Sequence, residues 1–430
     1  MTFIDLGELT EPTDPPAARR RPRPGSRRLW AAVVALGALL TLAGAAPPAR
    51  RIHATVPAAL GSDLFLTQDQ VFTVTPLPHV TDGSQELLAY PRPERATGTP
   101  QRLTPRWRVP VPIGNRVYRV ESVADGGVLV SMASEATGTS ETLHIDARTG
   151  QERWRAPGVA ILDEPGRALL RTFGNLATDR LRAVELATAR ELWSIPLSVA
   201  SVDYRQRDGL LDTIVLSALD GQVVVIDPET GAIRHRLPAP EDNPAGYQQA
   251  AVIGDLVVVI RNSNTVTAYT VEGLIRRWRT TVPTATYVTS CGPLLCTGLA
   301  GGGLTALDAA TGAVRWHEED AVDVLLTGDR TALVLADDTR EMATLDVTTG
   351  AVVADHGAWE LVARYEYAPR LFAVRQVPDV GLVLARLDPT RDRARPVDVL
   401  AGAAGDCRSR YALVACRLHN GDFGVWQLPA

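Results

Sequence analysis

A short apolar run followed by a polar turn recurs along most of the chain. The runs at residues 223–226, 256–260 and 333–335 are aliphatic or β-branched and too short for helices. The turns read Asp, two residues, Thr-Gly, three residues and often Trp. Asp and Thr side chains bond the N–H groups of tight turns, and glycine supplies positive φ. The repeated unit is therefore predicted to be a β-hairpin.

The turn repeats with a regular period. Four complete copies supply the candidate turn residues Asp146 and Gly150, Asp227 and Gly231, Asp308 and Gly312, and Asp346 and Gly350. Weaker copies begin at Glu185, Thr270 and Asp388, and the copy at Thr270 is interpreted as shortened, with Gly273 as its glycine. The seven anchors are 38 to 43 residues apart, which indicates a solenoid or a propeller.

Tryptophans accompany these units. Because one large aromatic side chain can fill the space between two sheets, we expect each of them to pack between neighbouring blades. The candidate packing residues are Trp107, Trp154, Trp193, Trp278 and Trp316.

The period leaves room for about four strands per unit, so the predicted fold is an all-β propeller over residues 63–430. Seven repeats are visible, and the two ends of this region supply one more. We expect residues 63–111 and 411–429 to pair in one sheet, which would close the ring and protect its edges. Eight blades are predicted, with seven as the alternative.

The phrase A-x-D-x-x-T-G-x-x-x-W resembles the repeat of the PQQ-like (quinoprotein dehydrogenase-like) β-propellers over about residues 60–430. The layout, with an apolar segment at residues 29–46 before the repeats, resembles membrane-anchored, exported actinobacterial members of that group. If the resemblance extended to the dehydrogenases, it would imply a PQQ cofactor held by adjacent cysteines, a stacking tryptophan and a calcium ion. It would also imply a catalytic aspartate. No Cys-Cys pair occurs in this sequence, so no ligand position is carried over and no cofactor is predicted.

The amino end predicts a membrane anchor. Residues 29–46 form an uncharged apolar run of about 27 Å as a helix, and six arginines precede it. Positive charge before a first apolar segment holds that side in the cytoplasm, so the propeller is predicted to be extracytoplasmic. A cleaved signal peptide is the alternative, because 43–45 reads Ala-Gly-Ala. Residues 1–28 are predicted to be a disordered cytoplasmic tail and 47–62 a linker.

Composition excludes several classes of function. All 44 basic residues are arginine, which rules out a P-loop lysine, a PLP Schiff base and a kinase core. The chain has a net charge of −5, and export of an acidic domain makes nucleic acid an implausible partner.

The four cysteines fit an oxidising compartment. Two local disulfides are the simplest of three pairings, Cys291 with Cys296 and Cys407 with Cys416. A redox role is the alternative for the first pair, although its spacing is not C-x-x-C.

No catalytic or metal-binding motif was found. The seven histidines lie more than five residues apart, and there is no G-x-S-x-G elbow. The sequence therefore predicts a noncatalytic binding or assembly scaffold with a cell-envelope protein as partner and a monomeric propeller. An exported PQQ- or metal-dependent enzyme is one alternative. A transmembrane sensor that signals through residues 3–9 of the tail is another.

Overall fold

The computed structural model describes residues 52–78, 82–94, 99–134, 136–172, 179–197, 199–241, 247–326, 331–336, 341–362, 371–388 and 394–428. The predicted tail, residues 1–28, and the predicted membrane-spanning segment, residues 29–46, lie outside these ranges. Within them, no helix is long and apolar enough to span a membrane.

The described residues form 37 strands in nine sheets, which are the blades of a β-propeller. Strands are numbered in chain order. Blade 1 contains β2 (Asp63–Leu66), β3 (Gln70–Pro76), β4 (Gln85–Pro91) and β6 (Trp107–Val111). Blade 2 contains β7 (Asn115–Ser122), β8 (Gly127–Ser134), β9 (Ser140–Asp146) and β10 (Glu152–Pro157). Blade 3 contains β11 (Val159–Glu164), β12 (Arg167–Arg171), β13 (Arg180–Glu185) and β14 (Glu191–Pro196).

The next three blades contain the longest inner strand and one of the two disulfides. Blade 4 contains β15 (Val199–Arg207), β16 (Leu210–Ala218), β17 (Val223–Ile226) and β18 (Ile233–Leu237). Blade 5 contains β19 (Gln248–Ile253), β20 (Leu256–Arg261), β21 (Thr265–Thr270) and β22 (Arg276–Thr281). Blade 6 contains β23 (Ala285–Cys291), β24 (Leu294–Leu299), β25 (Leu304–Asp308) and β26 (Val314–Glu318).

The last three blades complete the ring. Blade 7 contains β27 (Ala321–Leu326), β28 (Thr331–Ala336), β29 (Glu341–Asp346) and β30 (Val352–Ala358). Blade 8 contains β31 (Glu360–Leu361), β32 (Leu371–Val377), β33 (Gly381–Leu387) and β34 (Arg395–Leu400). Blade 9 contains β35 (Ala403–Arg410), β36 (Leu413–Leu418), β37 (Phe423–Gln427), β1 (His53–Val56) and β5 (Gln101–Arg102).

The prediction of eight blades is wrong, and so is the alternative of seven, because the two ends contribute separate sheets. Four of the five strands within residues 63–111 form a complete blade of their own, although it lacks the turn phrase. The fifth strand, β5, pairs with β1 at the edge of blade 9. The carboxy-terminal strands pair instead with β1, which lies within residues 47–62; Val56 is opposite Phe423 and His53 is opposite Trp426. Antiparallel pairing of the first and last strands therefore closes the ring inside blade 9.

The hydrophobic core is divided among the seams between blades. Nine apolar clusters each combine buried side chains from two consecutive blades. The cluster with Ala54, Leu64 and Phe423 joins blade 9 to blade 1. Each blade buries both of its faces against neighbours, so the residues that match two neighbouring sheets decide how stable each seam is.

Strand direction defines two faces of the ring. The first strands of successive blades contact one another; for example, β15 contacts β19, and β2 contacts β7. The first strand of each blade therefore lies beside the central channel. Turns between third and fourth strands, including the Asp-x-x-Thr-Gly turns, lie at the same end as hairpins between first and second strands. We call this end the turn face. The loops between second and third strands and the connections between blades lie at the opposite face.

Candidate functional site

Each complete turn is fixed by its aspartate. In blade 4, Asp227 Oδ1 accepts hydrogen bonds from the N–H groups of Glu229 and Thr230, both at 2.9 Å. Gly231 completes the turn with a φ of 71°, a region that glycine adopts readily. Arg234 binds Asp227 Oδ2 at 2.6 Å, and this guanidinium lowers the pKa of Asp227 to about 2. The carboxylate is a structural part of its own turn.

The other three complete turns share this geometry. Oδ1 of Asp146, Asp308 and Asp346 accepts N–H groups two and three residues later, at 2.9 to 3.1 Å. Arg153 binds Asp146 at 2.8 Å, and Arg315 binds Asp308 at 2.6 Å. These arginines hold the pKa of Asp146 well below its usual range and lower that of Asp308 to about 2. The repeated carboxylates are thus engaged in local structure.

Each of the five tryptophans packs on the turn of the following blade. Trp193 of blade 3 donates from Nε1 to the Pro228 carbonyl at 2.9 Å and is 8% exposed. A Cβ on Gly231 would lie 2.8 Å from its ring. The equivalent bonds are Trp107 to Ala147 at 2.9 Å, Trp154 to Leu186 at 2.7 Å, Trp278 to Ala309 at 2.9 Å and Trp316 to Val347 at 2.8 Å. These contacts join five pairs of neighbouring blades.

The seam between blades 4 and 5 departs from this arrangement. His235 stands where the repeat has tryptophan, and Leu274, with a φ of 50°, stands where the repeat has glycine. Leu274 is buried, at 8% exposure, among the valines of this seam. A side chain from the turn therefore fills space that elsewhere belongs to the indole.

The structure corrects the shortened turn predicted at Thr270. Thr270 N donates to the Ile275 carbonyl at 2.9 Å, as the Asp227 N does to Ala232 at 2.8 Å, so both turns have the same length. Gly273 consequently occupies the threonine position, and Leu274 the glycine position. Aligning the turns by length, instead of by their glycine, would have identified this exchange from the sequence.

Polar side chains of β15 also bind the backbone of β19 and of the hairpin after it, across this seam. Asp203 accepts the Val252 N–H at 2.7 Å, and Arg205 donates to the Gly254 carbonyl at 2.5 Å. Arg205 also pairs with Asp255 at 3.0 Å. Burial raises the pKa of Asp203. Sequence analysis did not single out Asp203, because a lone aspartate in a strand gives no pattern.

Charged side chains line the central channel at blades 9, 1 and 2. Asp63 lies 3.9 Å from Arg116 and 4.0 Å from Arg408. Glu121 lies 2.7 Å from Arg410, which joins blade 2 to blade 9 across the short inner strand of blade 1. These ion pairs connect the blades on either side of the ring closure.

The structure contains both local disulfides, Cys291–Cys296 in blade 6 and Cys407–Cys416 in blade 9. Each joins the first and second strands of its blade. They hold the inner hairpins of two blades covalently.

The site does not fit PQQ as the resemblance would require. The cysteines that would have to be adjacent are instead paired at separations of five and nine residues, in different blades. Within the described ranges, no group of three His, Cys, Asp or Glu side chains could hold a metal ion. No reaction step is therefore derived through either group.

The fold and its Trp-on-turn contacts define a β-propeller of repeated blades. Residues 104–282 match the model of the PQQ_2 family, described as outer membrane protein assembly factor BamB. The match runs from the last strand of blade 1 through blade 5 and confirms the resemblance to PQQ-like propellers there.

Solved structures with similar folds have low sequence identity to this chain. BamB from Moraxella catarrhalis is 11% identical over 86% of this chain and 97% of that chain, with a TM-score of 0.47. The computationally designed Ika8 protein is 14% identical over 73% and 97%, with a TM-score of 0.48. The C-terminal WD40 domain of Sif2 is 11% identical over 88% and 98%, with a TM-score of 0.44. No curated protein matches the sequence.

Proposed function

We propose that this protein is a membrane-anchored, extracytoplasmic scaffold that binds another protein of the cell envelope. The proposal rests on the contacts of the repeated turn aspartates. Each carboxylate is bound within its own turn, as Asp227 is by two backbone N–H groups and Arg234. The ring thus offers rigidly held loops for binding. The match of residues 104–282 to an assembly-factor family is consistent with a binding or assembly scaffold.

A cleft between blades 4 and 5 at the opposite face is the proposed partner site. Ser201, Leu219, Tyr247 and Gln249 line it. Tyr247 is 47% exposed and Leu219 is 44% exposed. The Tyr247 hydroxyl donates to the Thr286 carbonyl of blade 6, which orients the ring. Tyrosine is one of the residue types that most often anchor protein interfaces.

Residues 29–46 supply the proposed anchor, and the arginines before them set its direction. Two disulfides agree with an exported propeller, because such bonds persist in oxidising compartments. The tail, residues 1–28, then remains in the cytoplasm.

The test is cross-linking of the full chain in intact cells, followed by affinity capture and mass spectrometry. We expect one envelope protein to be captured by the native chain and lost with Tyr247→Ala. Tyr118→Ala is the matched control, because Tyr118 is 48% exposed but lies on the inner strand of blade 2. Its capture should equal that of the native chain.

Capture of the chain alone would contradict the scaffold. The purified protein would then be mixed with PQQ and calcium, and thermal stabilisation with dye reduction would support the enzyme alternative. Equal loss of capture with both tyrosine variants would contradict the cleft as the docking site.

A further inference from the structure

Just over half of the exposed large apolar side chains in the described ranges lie at the turn face. Of the fifteen such residues in the described part of the chain, eight lie in turn-face hairpins or in the first two positions of a strand beginning there. These eight are Leu192, Leu210, Ile233, Ile275, Val314, Val352, Val353 and Tyr411. Exposed apolar residues grouped on one surface mark an interaction site.

The densest part of this group follows the outer rim of blades 4 to 7. Ile233, Val314 and Val352 each open an outer strand and are 47%, 54% and 61% exposed. Ile275 ends the blade 5 turn and is 65% exposed. We call these four residues the aliphatic rim. The outer strands of blades 2 and 3 begin instead with glutamates.

Arginines stand next to the aliphatic rim in the sequence. Arg234 follows Ile233, Arg276 and Arg277 follow Ile275, and Arg315 follows Val314. Arg234 and Arg315 also pair with their turn aspartates. Aliphatic side chains flanked by guanidinium groups suit the boundary between lipid headgroups and acyl chains, where apolar burial and attraction to anionic lipids act together.

The chain enters the propeller at this same face. β1 takes the place of an outer strand in blade 9 and runs antiparallel to β37, so His53 lies at the turn face. Six residues, 47–52, separate the apolar segment 29–46 from His53. Seven peptide steps extend at most about 25 Å, since each spans at most about 3.6 Å.

We propose that the aliphatic rim of the turn face rests on the surface of the bilayer that residues 29–46 span. This inference depends on the membrane anchor of the proposed function. The short connection keeps the point of entry near the membrane, and the rim supplies apolar side chains for the headgroup region. The opposite face, with its cleft, then points away from the membrane towards a partner.

The sequence allows a site-specific test, because its four cysteines are all in disulfides. A single added cysteine can therefore be labelled with a fluorescent dye. Ile275→Cys places the dye on the rim, and Ile113→Cys is the matched control, because Ile113 is also 65% exposed but lies between β6 and β7 at the opposite face. Both full-length variants are reconstituted in phosphatidylcholine vesicles, with and without phosphatidylglycerol.

We expect a lipid-attached quencher to reduce the Ile275→Cys signal several-fold more than the Ile113→Cys signal. Iodide in the aqueous phase should give the reverse order. Adding Ile233→Ser and Val314→Ser should lower the lipid quenching at position 275 while carbonate-resistant membrane association stays unchanged.

Other outcomes overturn the proposal in distinguishable ways. Equal iodide quenching of both dyes, with the chain resistant to carbonate extraction, would refute the rim contact and leave the anchored scaffold intact. Shielding of the Ile275→Cys dye in native membranes from both quenchers would show that a protein covers the rim. Extraction of the chain by carbonate would refute the anchor and the rim contact together.

Discussion

Two neighbouring seams of the ring achieve close packing in opposite ways. Between blades 3 and 4, Trp193 of the outer strand covers Gly231 of the next turn. Between blades 4 and 5, the turn supplies the bulk through Leu274, and the outer strand carries the smaller His235. Each of these two seams combines one larger and one smaller side chain. The larger one comes from the outer strand in the first seam and from the turn of the next blade in the second.

The second seam also relies on polar contacts near the channel. Asp203 binds the backbone of β19 at 2.7 Å, and Arg205 binds the backbone of the hairpin after β19 at 2.5 Å. Hydrogen bonds to charged groups contribute about 1.5–3 kcal/mol each, whereas truncating a buried indole costs about 3–5 kcal/mol. The comparison predicts that the seams differ in which residues dominate their stability.

The largest expected effect separates the two seams directly. Trp193→Ala should lower the free energy of unfolding by about 3–5 kcal/mol, because the indole is 8% exposed and its loss leaves a cavity. His235→Ala should cost about 1 kcal/mol or less, because His235 is only half-buried. Both losses of stability are measured as shifts of the urea unfolding midpoint, provided that the dependence of the unfolding free energy on urea concentration is unchanged. Equal costs would contradict the difference between the seams.

A reciprocal exchange should convert the second seam into the first. His235→Trp alone overpacks against Leu274 and should cost about 1–3 kcal/mol. Leu274→Gly alone leaves a cavity and should cost about 2–4 kcal/mol, reduced by relief of the positive φ. The double variant should be more stable, by at least about 1 kcal/mol, than the sum of the two single losses of stability would predict.

A double-mutant cycle by urea unfolding gives this coupling energy. His235→Phe with Leu274→Gly is the control. Val271 follows its turn anchor as Pro228 follows Asp227, so its carbonyl is the expected acceptor for the N–H of a tryptophan at position 235, and phenylalanine has no N–H to donate. Additive effects in the tryptophan cycle would show that the two positions do not share one space.

The repeat made the propeller predictable but not the number of its blades. Asp146, Asp227, Asp308 and Asp346 mark the turn between third and fourth strands, so every blade with this turn could be counted. Blade 1 joins those strands by residues 92–106 and carries no such mark. The short β1 gives no pattern by itself, because only its pairing with β37 makes it a strand.

The candidate functional residues also differ in whether the sequence could predict them. Local signals identified the turn residues, the cysteines and the tryptophans, since each recurs or is rare in the sequence. Contacts between strands distant in sequence were not accessible, such as the pair of Glu121 with Arg410. The exchange at Leu274 was obscured because Gly273, one residue earlier, suggested a different alignment.

A smaller effect tests how closely tryptophan approaches its turn. A Cβ on Gly312 would lie 2.4 Å from the Trp278 ring, so Gly312→Ala should cost about 1–3 kcal/mol. Gly254→Ala is the control, because its φ is also positive but nothing lies within 4 Å of its Cβ. It should cost about 1 kcal/mol, from backbone strain alone. Thermal unfolding compares the two, and equal shifts would contradict a steric limit at the seam.

The smallest expected effect is a difference in pH dependence between two aspartates. Arg315 lowers the pKa of Asp308 to about 2, below its unfolded value near 3.8. The charged form therefore stabilises the fold, and this contribution is lost as pH falls from about 4 through about 2. Asp308→Asn should be less stable than the native chain at neutral pH, and the difference should shrink over that range.

Asp203 should behave with the opposite sign, because burial raises its pKa. Its ionisation opposes folding, so its contribution is full below about 3.8 and is lost as pH rises through the elevated value. Asp203→Asn retains an oxygen to accept the Val252 N–H and should equal or exceed the native stability at neutral pH. That advantage should disappear on acidification. Urea unfolding from pH 7 to about pH 2 compares both variants, and parallel curves would show that the two carboxylates are held in equivalent environments.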